Sequence, residues 1–430
     1  MTRPRTGGKA EEVAGLSAEG WFRSLDPIGW RFGLERITAL VAALGEPQRS
    51  FESIHVVGTN GKSSVSVMTA ALLEASGRST GAYLSPHVER WAERVQIRGS
   101  EIEGEAFAQA AAKVAAAIPG VEEGFSEGER VTQFEAATAV AFVALADAGV
   151  EVGVIEAGLG GRLDATNVLN SKATVLTSIG LDHTAWLGET EAEIAAEKLA
   201  VLRPGSTLVL GGLSPEVEAQ ARSLAAARDC RVAETHPRGE TSNAPRYRGA
   251  IGTFGGGAPY LQRNLAVARA AAVVVAGPLD DEVVQRAIQG LELRGRFEVS
   301  QGDPPVISDA AHNPHGATAL AEALGAELGE RHVIACIALM GDKDAAGIVK
   351  ALAPALSSVV CTEIPLERLR GAGRPGTSTF EAVELASLFE VTGVAATVET
   401  DPDRAIALAK ERAKEQGGVA LIAGSHYLLA

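Results

Sequence analysis

Short apolar runs alternate with segments of helical period along almost the whole chain. Runs bounded by turn residues at 54–57, 81–84, 152–156, 174–178 and 207–210 predict strands. Helical patterns at 61–75, 132–148, 189–202 and 215–227 lie between or after them. A polar, Gly-rich stretch at 234–257 breaks the rhythm, and a helix pair at 262–276 and 280–291 follows, ending in Arg294-Gly295-Arg296. From Pro305 the alternation restarts. It predicts strands at 306–309, 333–337, 358–362, 395–398 and 419–422, and helices at 317–328, 345–352, 379–389 and 402–415. Such alternation predicts an α/β protein whose sheets are mostly parallel and covered by helices. The expected organisation is a flexible tail over 1–15, a first unit over 16–297 and a smaller doubly wound unit over 305–430. A linker over 298–304 separates the units, where Gly302-Asp303-Pro304-Pro305 reads as turn-forming chain.

At 430 residues the chain exceeds one ordinary core, which agrees with two units. A formal net charge of −15 argues against a nucleic-acid partner, because phosphate backbones are met by clustered Lys and Arg. An anionic substrate must then be met by a few placed cations and by metal. Cys230, Cys336 and Cys361 stand far apart with no C-x-x-C spacing. That disfavours a disulfide framework or a zinc site and fits a reducing cytoplasm. No apolar run reaches the ~20 residues that span a bilayer, and polar residues 1–12 lack an apolar signal core.

Chemistry is concentrated first in Gly58-Thr59-Asn60-Gly61-Lys62-Ser63-Ser64, between a predicted strand and a predicted helix. Loop amides and a helix N-terminus point at an anion there, Lys62 adds a point charge, and a serine hydroxyl can reach Mg²⁺. It is a variant loop: the outer glycine of G-x-x-x-x-G-K falls on Val56. Further candidates sit at strand ends or helix starts, where open α/β sheets bind ligands. Ser85-Pro86-His87 reads as a turn, with a metal-binding hydroxyl as the alternative. Glu156 ends an apolar strand, where a carboxylate is costly unless paired or bound to metal. Gly158, Gly160 and Gly161 do not make a dinucleotide fingerprint, since Leu163 occupies the third glycine position. His183 beside Asp182 can ligate metal as neutral imidazole or serve as a structural hydrogen-bonding residue. Lys198 reads on spacing alone as a solvated helical lysine. Arg296, at the boundary, can clamp phosphate. Asn313 before Pro314 reads as a helix N-cap, while Asp309 and His312 at the same turn are better explained by a ligand. A phosphate loop, metal candidates and no Ser/Cys triad point to phosphoryl transfer.

The ordered motifs resemble folylpolyglutamate synthase/dihydrofolate synthase, in the Mur ligase superfamily of ATP-dependent amide ligases. Besides the segments above, the likeness rests on Gly33-Leu34-Glu35-Arg36, Thr132-Gln133-Phe134-Glu135, Glu197-Lys198, Gly295-Arg296-Phe297, Asp342-Lys343-Asp344 and Gly424-Ser425. It covers about residues 20–430 and implies a P-loop central domain followed by a Rossmann-like glutamate-ligase domain. The resemblance implies that Gly58 to Ser64, Asn264, Arg296, Asp309 and His312 hold ATP. Ser64, Ser85, Glu156 and His183 would hold Mg²⁺, with two sites expected. Lys198 would be carbamylated beside the second metal, making Lys62, Glu156, His183 and Lys198 the catalytic set. Thr132, Arg162, Leu163 and Asp164 would line the pterin pocket. The implied reaction activates a carboxylate of tetrahydrofolate, or of dihydropteroate, as an acyl phosphate, which L-glutamate traps as an amide with release of ADP and phosphate. A monomer is implied. Ser63 stands where the family commonly has glycine, Gln133 where it often has an aromatic residue, and Gly29-Trp30-Arg31-Phe32 matches the pterin-contacting segment only loosely. The alternative within the superfamily is a peptidoglycan ligase acting on a UDP-muramyl substrate. About 50 residues precede the phosphate loop, against the separate N-terminal domain of ~100 residues usual there. A non-catalytic nucleotide switch is the alternative of another class, and it has no use for Glu156, His183 and Lys198 together.

Overall fold

The computed structural model describes residues 17–25, 33–233, 235, 257–371 and 378–429. The expected tail, the segment Gly29 to Phe32 and nearly all of the irregular stretch 234–257 lie outside them.

Two sheets organise the chain. The first has β1 (Glu52–Val57), β2 (Thr80–Tyr83), β3 (Val95–Ile97), β4 (Ser100–Glu101), β5 (Val152–Glu156), β6 (Ala173–Ser178), β7 (Thr207–Gly212) and β8 (Arg231–Ala233). Their order is β4-β3-β2-β5-β1-β6-β7-β8. Every pair is parallel except β2–β3 and β3–β4. β5 and β6 are buried along their whole length, which is why their sequences read as apolar runs rather than alternating ones.

The second sheet is β9 (Glu298–Ser300), β10 (Val306–Asp309), β11 (Val333–Ile337), β12 (Ser358–Cys361), β13 (Ala395–Val398) and β14 (Val419–Ala423), ordered β13-β12-β11-β14-β10-β9. Only β9 runs antiparallel to its neighbour. The expected linker over 298–304 therefore begins with an edge strand of this sheet, a piece too short to leave a periodic signal. The helix expected from 379 starts at Ala382, because Thr379 bridges to Met340.

Five helices place the site: α1 (Lys62–Ala75), α2 (Gln133–Asp147), α3 (Glu191–Leu199), α4 (Pro259–Ala276) and α5 (Pro314–Leu328). α4 packs on α1 of the first half and touches α5 of the second. One apolar cluster runs through both, joining Val65 and Met68 to Leu261 and Leu265 and on to Ile307 and Leu320. Cys230, Cys336 and Cys361 are free thiols. Among the described residues no helix is long and apolar enough to cross a membrane.

Candidate active site

The carboxyl ends of β1, β2 and β5 lie level, and β6 runs on past them to Ser178. Val56 of β1 stands beside Glu156 of β5 and Val175 of β6, and Tyr83 of β2 beside Ile155. The phosphate loop leaves β1 at this edge and is tied to β6. Thr59 N donates to Ser178 O (2.8 Å), Asn60 N to Ser178 Oγ (3.0 Å), and Thr177 Oγ1 to Asn60 O (2.6 Å). Gly61 has φ +83°, and a Cβ there would stand 2.9 Å from Asn264 Oδ1. Glycine is needed at that position both for its conformation and for the approach of α4.

Glu156 is buried at the floor. Ser63 Oγ donates to Oε1 (3.1 Å) and Ser85 N to Oε2 (3.2 Å). Burial raises its pKa, while Lys62, these two donors and Arg296 pull the other way. Ser64 Oγ is also buried and has no hydrogen-bond partner among the described residues. Of the two loop serines, Ser63 is thus engaged by Glu156 and Ser64 is not.

His183 follows β6 with φ +52°, a left-handed conformation uncommon outside glycine. Its neighbour Asp182 has its carboxyl held well below the ordinary range. Burial opposes the charged form, but the facing His183, Lys343 and His312 outweigh it. Burial lowers His312 itself to about 4, with Lys343 adding to the effect, so His312 is neutral at pH 7. Lys343 Nζ lies 2.8 Å from Asp182 Oδ1.

Lys198 is not solvated. In α3 the buried stripe is Ile194, Ala195, Lys198 and Leu199, and Lys198 is 4% exposed. Gly161 makes this possible: a Cβ there would stand 2.5 Å from Lys198 O, so the glycine loop packs directly on the end of α3. Burial, and then the nearby Lys62, bring the ammonium down to about 7.

The second half supplies Asp309, whose Oδ2 accepts from Tyr260 Oη (2.6 Å) and Phe297 N (2.8 Å) and whose Oδ1 accepts from Ala311 N (2.8 Å). Burial raises its pKa against Tyr260 and Arg296. Arg296 Nη2 lies 3.4 Å from His426 Nε2.

Most of these groups, though not Lys343, line one cavity of about 710 Å³, within the range of small-ligand sites. Gly58 to Ser64, Ser85, Thr132, Glu156, Leu163, Asp164, His183, Lys198, Asn264, Arg296, Asp309 and His312 are on its wall. Arg162 is not: its guanidinium turns outward to Glu197 (2.8 Å) with the side chain 63% exposed. Tyr260 and His426 lie on the wall without having been singled out from sequence. The signal for Tyr260 was Pro259, which opens α4 at its first helical position, three residues before the helix expected at 262. Arg94 is buried on the same wall, its Nε donating to His87 Nδ1 (2.8 Å) and its guanidinium 4.4 Å above the Trp91 ring.

No three His, Cys, Asp or Glu side chains converge as a metal site by themselves among the described residues. The donor set still fits a hard divalent ion that shares its shell with phosphate oxygens: a buried carboxylate, a buried hydroxyl without a partner, and an imidazole on one wall.

Residues 295–426 match the glutamate ligase domain of the Mur ligases. The dihydrofolate synthase/folylpolyglutamate synthase of Mycobacterium tuberculosis is 35% identical over 82% of this chain and 77% of its own. The structure of Mycobacterium tuberculosis folylpolyglutamate synthase complexed with ADP superposes with a TM-score of 0.82 at 32% identity, covering 93% of this chain and 94% of that one. A bifunctional folylpolyglutamate synthase/dihydrofolate synthase with Mn, AMPPNP and L-glutamate bound has a TM-score of 0.80 at 28% identity, over 97% of each chain. These relatives carry folate names, so the peptidoglycan alternative is set aside. With the phosphate loop, the buried floor carboxylate and the glutamate-ligase half on one cavity, the chain belongs to the dihydrofolate synthase/folylpolyglutamate synthase family of ATP-dependent ligases.

Proposed function

We propose that this cavity joins L-glutamate to a folate-class carboxylate at the expense of ATP, with tetrahydrofolate as one acceptor and dihydropteroate as a second. One observation carries the reading. Lys62, Glu156 and Lys198 from the elements around the first sheet and Arg296, Asp309 and His312 from those around the second face a single space.

The nucleotide's phosphates lie on the loop amides of Gly58 to Lys62, with Arg296 reaching them from the other half. The acceptor's carboxylate takes the γ-phosphoryl group, giving an acyl phosphate and ADP. The glutamate amine then bonds to the acyl carbon, the bond to the phosphate oxygen breaks, and phosphate and a proton leave. Two anions must meet in the first step, and Lys62 and Arg296 offset their repulsion. A divalent ion held by Ser64, Ser85, Glu156 and His183 would supply further charge neutralisation there. Lys198, near neutral and buried, suits conversion to a carbamate, which would add a carboxylate for a second ion. Thr132, Leu163 and Asp164 are assigned to the pterin end, while the outward Arg162 is left to brace α3 through Glu197.

The test is ADP release by purified protein with ATP, Mg²⁺ and L-glutamate, offering tetrahydrofolate and dihydropteroate in separate reactions. Glutamate-dependent ADP release with either acceptor is expected. ATP binding with no such release would make the protein a nucleotide switch instead.

A further inference from the structure

Asp182 joins the two halves. Lys343 Nζ donates to its Oδ1 at 2.8 Å, with the two side chains 6% and 10% exposed. Asn313 Nδ2 donates to its Oδ2 at 3.0 Å. Asn313 is also locked to the phosphate loop: Asn60 Nδ2 donates to Asn313 Oδ1, and Asn313 Nδ2 to Asn60 Oδ1, both at 3.0 Å. Asn313 Oδ1 also caps α5 by accepting from Gly316 N at 2.8 Å. An unbroken polar chain thus runs from the phosphate loop through Asn60, Asn313 and Asp182 to Lys343. Asp342 and His312 lie on the cavity wall, but Lys343 does not.

We propose that Lys343 is a positioning residue that sets the second half in register with the phosphate loop, so that the acyl phosphate meets the glutamate amine before it meets water. The inference rests on the ligase reading above. A buried ion pair adds little net stability, yet losing one partner strands a charge. Its use here is to fix one arrangement of two halves. With the register lost, water reaches the activated carbon. Its oxygen bonds to that carbon, the bond to the phosphate oxygen breaks, phosphate leaves, and the acceptor returns as its carboxylate. The net reaction is then ATP plus water giving ADP and phosphate, with no amide.

The experiment measures ADP and amide together in the full-length enzyme, with KM for ATP and for L-glutamate. For Lys343→Met the expected result is several ADP per amide instead of one. KM for glutamate should rise at least tenfold, with KM for ATP within about twofold. Lys343→Arg, which keeps the charge, should restore most of the coupling. The double variant Asp182→Asn/Lys343→Met should be better coupled than Lys343→Met, because no charge is stranded. Should Lys343→Met fail to fold, as judged by thermal melting with and without ADP, Asp182→Asn is read for the same ratio, with several ADP per amide expected. One ADP per amide with an unchanged glutamate KM in Lys343→Met, or in Asp182→Asn where that variant stands in for it, overturns the proposal. A wild type with no acceptor- and glutamate-dependent ADP release overturns the ligase reading instead, so the two failures are told apart.

Discussion

At the scale of single residues, burial decides what a side chain can do. The burial of Glu156 was legible from sequence, because it closes an apolar strand, where a carboxylate is costly unless paired or bound to metal. Lys198 was not, since a lysine late in a helix is ordinarily solvated. The signal was its place four residues after Ile194, on the buried stripe. Its lowered pKa has a testable sign. The native amine titrates at about 7 and the unfolded one near 10.5. Between those values the unfolded chain holds a proton that the folded chain lacks, so this group makes stability rise with pH. Below pH 7 both states are protonated and the slope vanishes. In CO₂-free buffer the stability of wild type relative to Lys198→Met should increase from pH 7 to pH 10, measured by urea denaturation. A difference that stays flat with pH would refute a near-neutral native lysine. The same substitution should lower ligation by orders of magnitude.

At the scale of elements, the start of α2 shows which contacts a sequence reveals. Thr132 and Glu135 form a capping box, with Glu135 N donating to Thr132 Oγ1 (3.2 Å) and Thr132 N to Glu135 Oε2 (2.8 Å). The Thr-x-x-Glu spacing announces that locally. What fixes Glu135 is Arg36, 99 residues away in sequence, whose Nε donates to both carboxylate oxygens at 3.0 and 3.2 Å. No local period carries such a pairing, which is why Gly33-Leu34-Glu35-Arg36 was readable only as a motif. Both side chains of that pair are about 5% exposed. Thr132→Ala should therefore cost about 1 kcal/mol and raise KM for the folate acceptor while sparing that for ATP. Arg36→Met leaves Glu135 buried without its cation and should cost roughly 3–5 kcal/mol. Thermal denaturation and initial rates check both, and equal destabilisation by the two would remove Arg36 from this role.

At the scale of the whole molecule, strand–helix alternation made two mostly parallel sheets legible but not the way they meet. The meeting depends on α4, whose buried residues Leu261, Leu265, Val267, Ala268, Ala271 and Ala272 belong to the cluster shared with both sheets. A helix buried against partners on two sides has a pattern no different from any core helix, so its bridging role is tertiary. A shared apolar cluster means that neither half can lose its packing without exposing surface of the other. Full-length protein should consequently unfold in one calorimetric transition without ligand. Saturation with Mg²⁺ and ADP at 100 times its Kd should add about 2.7 kcal/mol and move that transition up as a single peak. If the halves were joined only through the nucleotide, the free protein would melt in two steps that merge on adding ADP. Two peaks without ligand would thus reassign the coupling from the protein's own contacts to the substrate, whereas a single peak under both conditions keeps it in those contacts, the apolar cluster around α4 and the Asp182 network together.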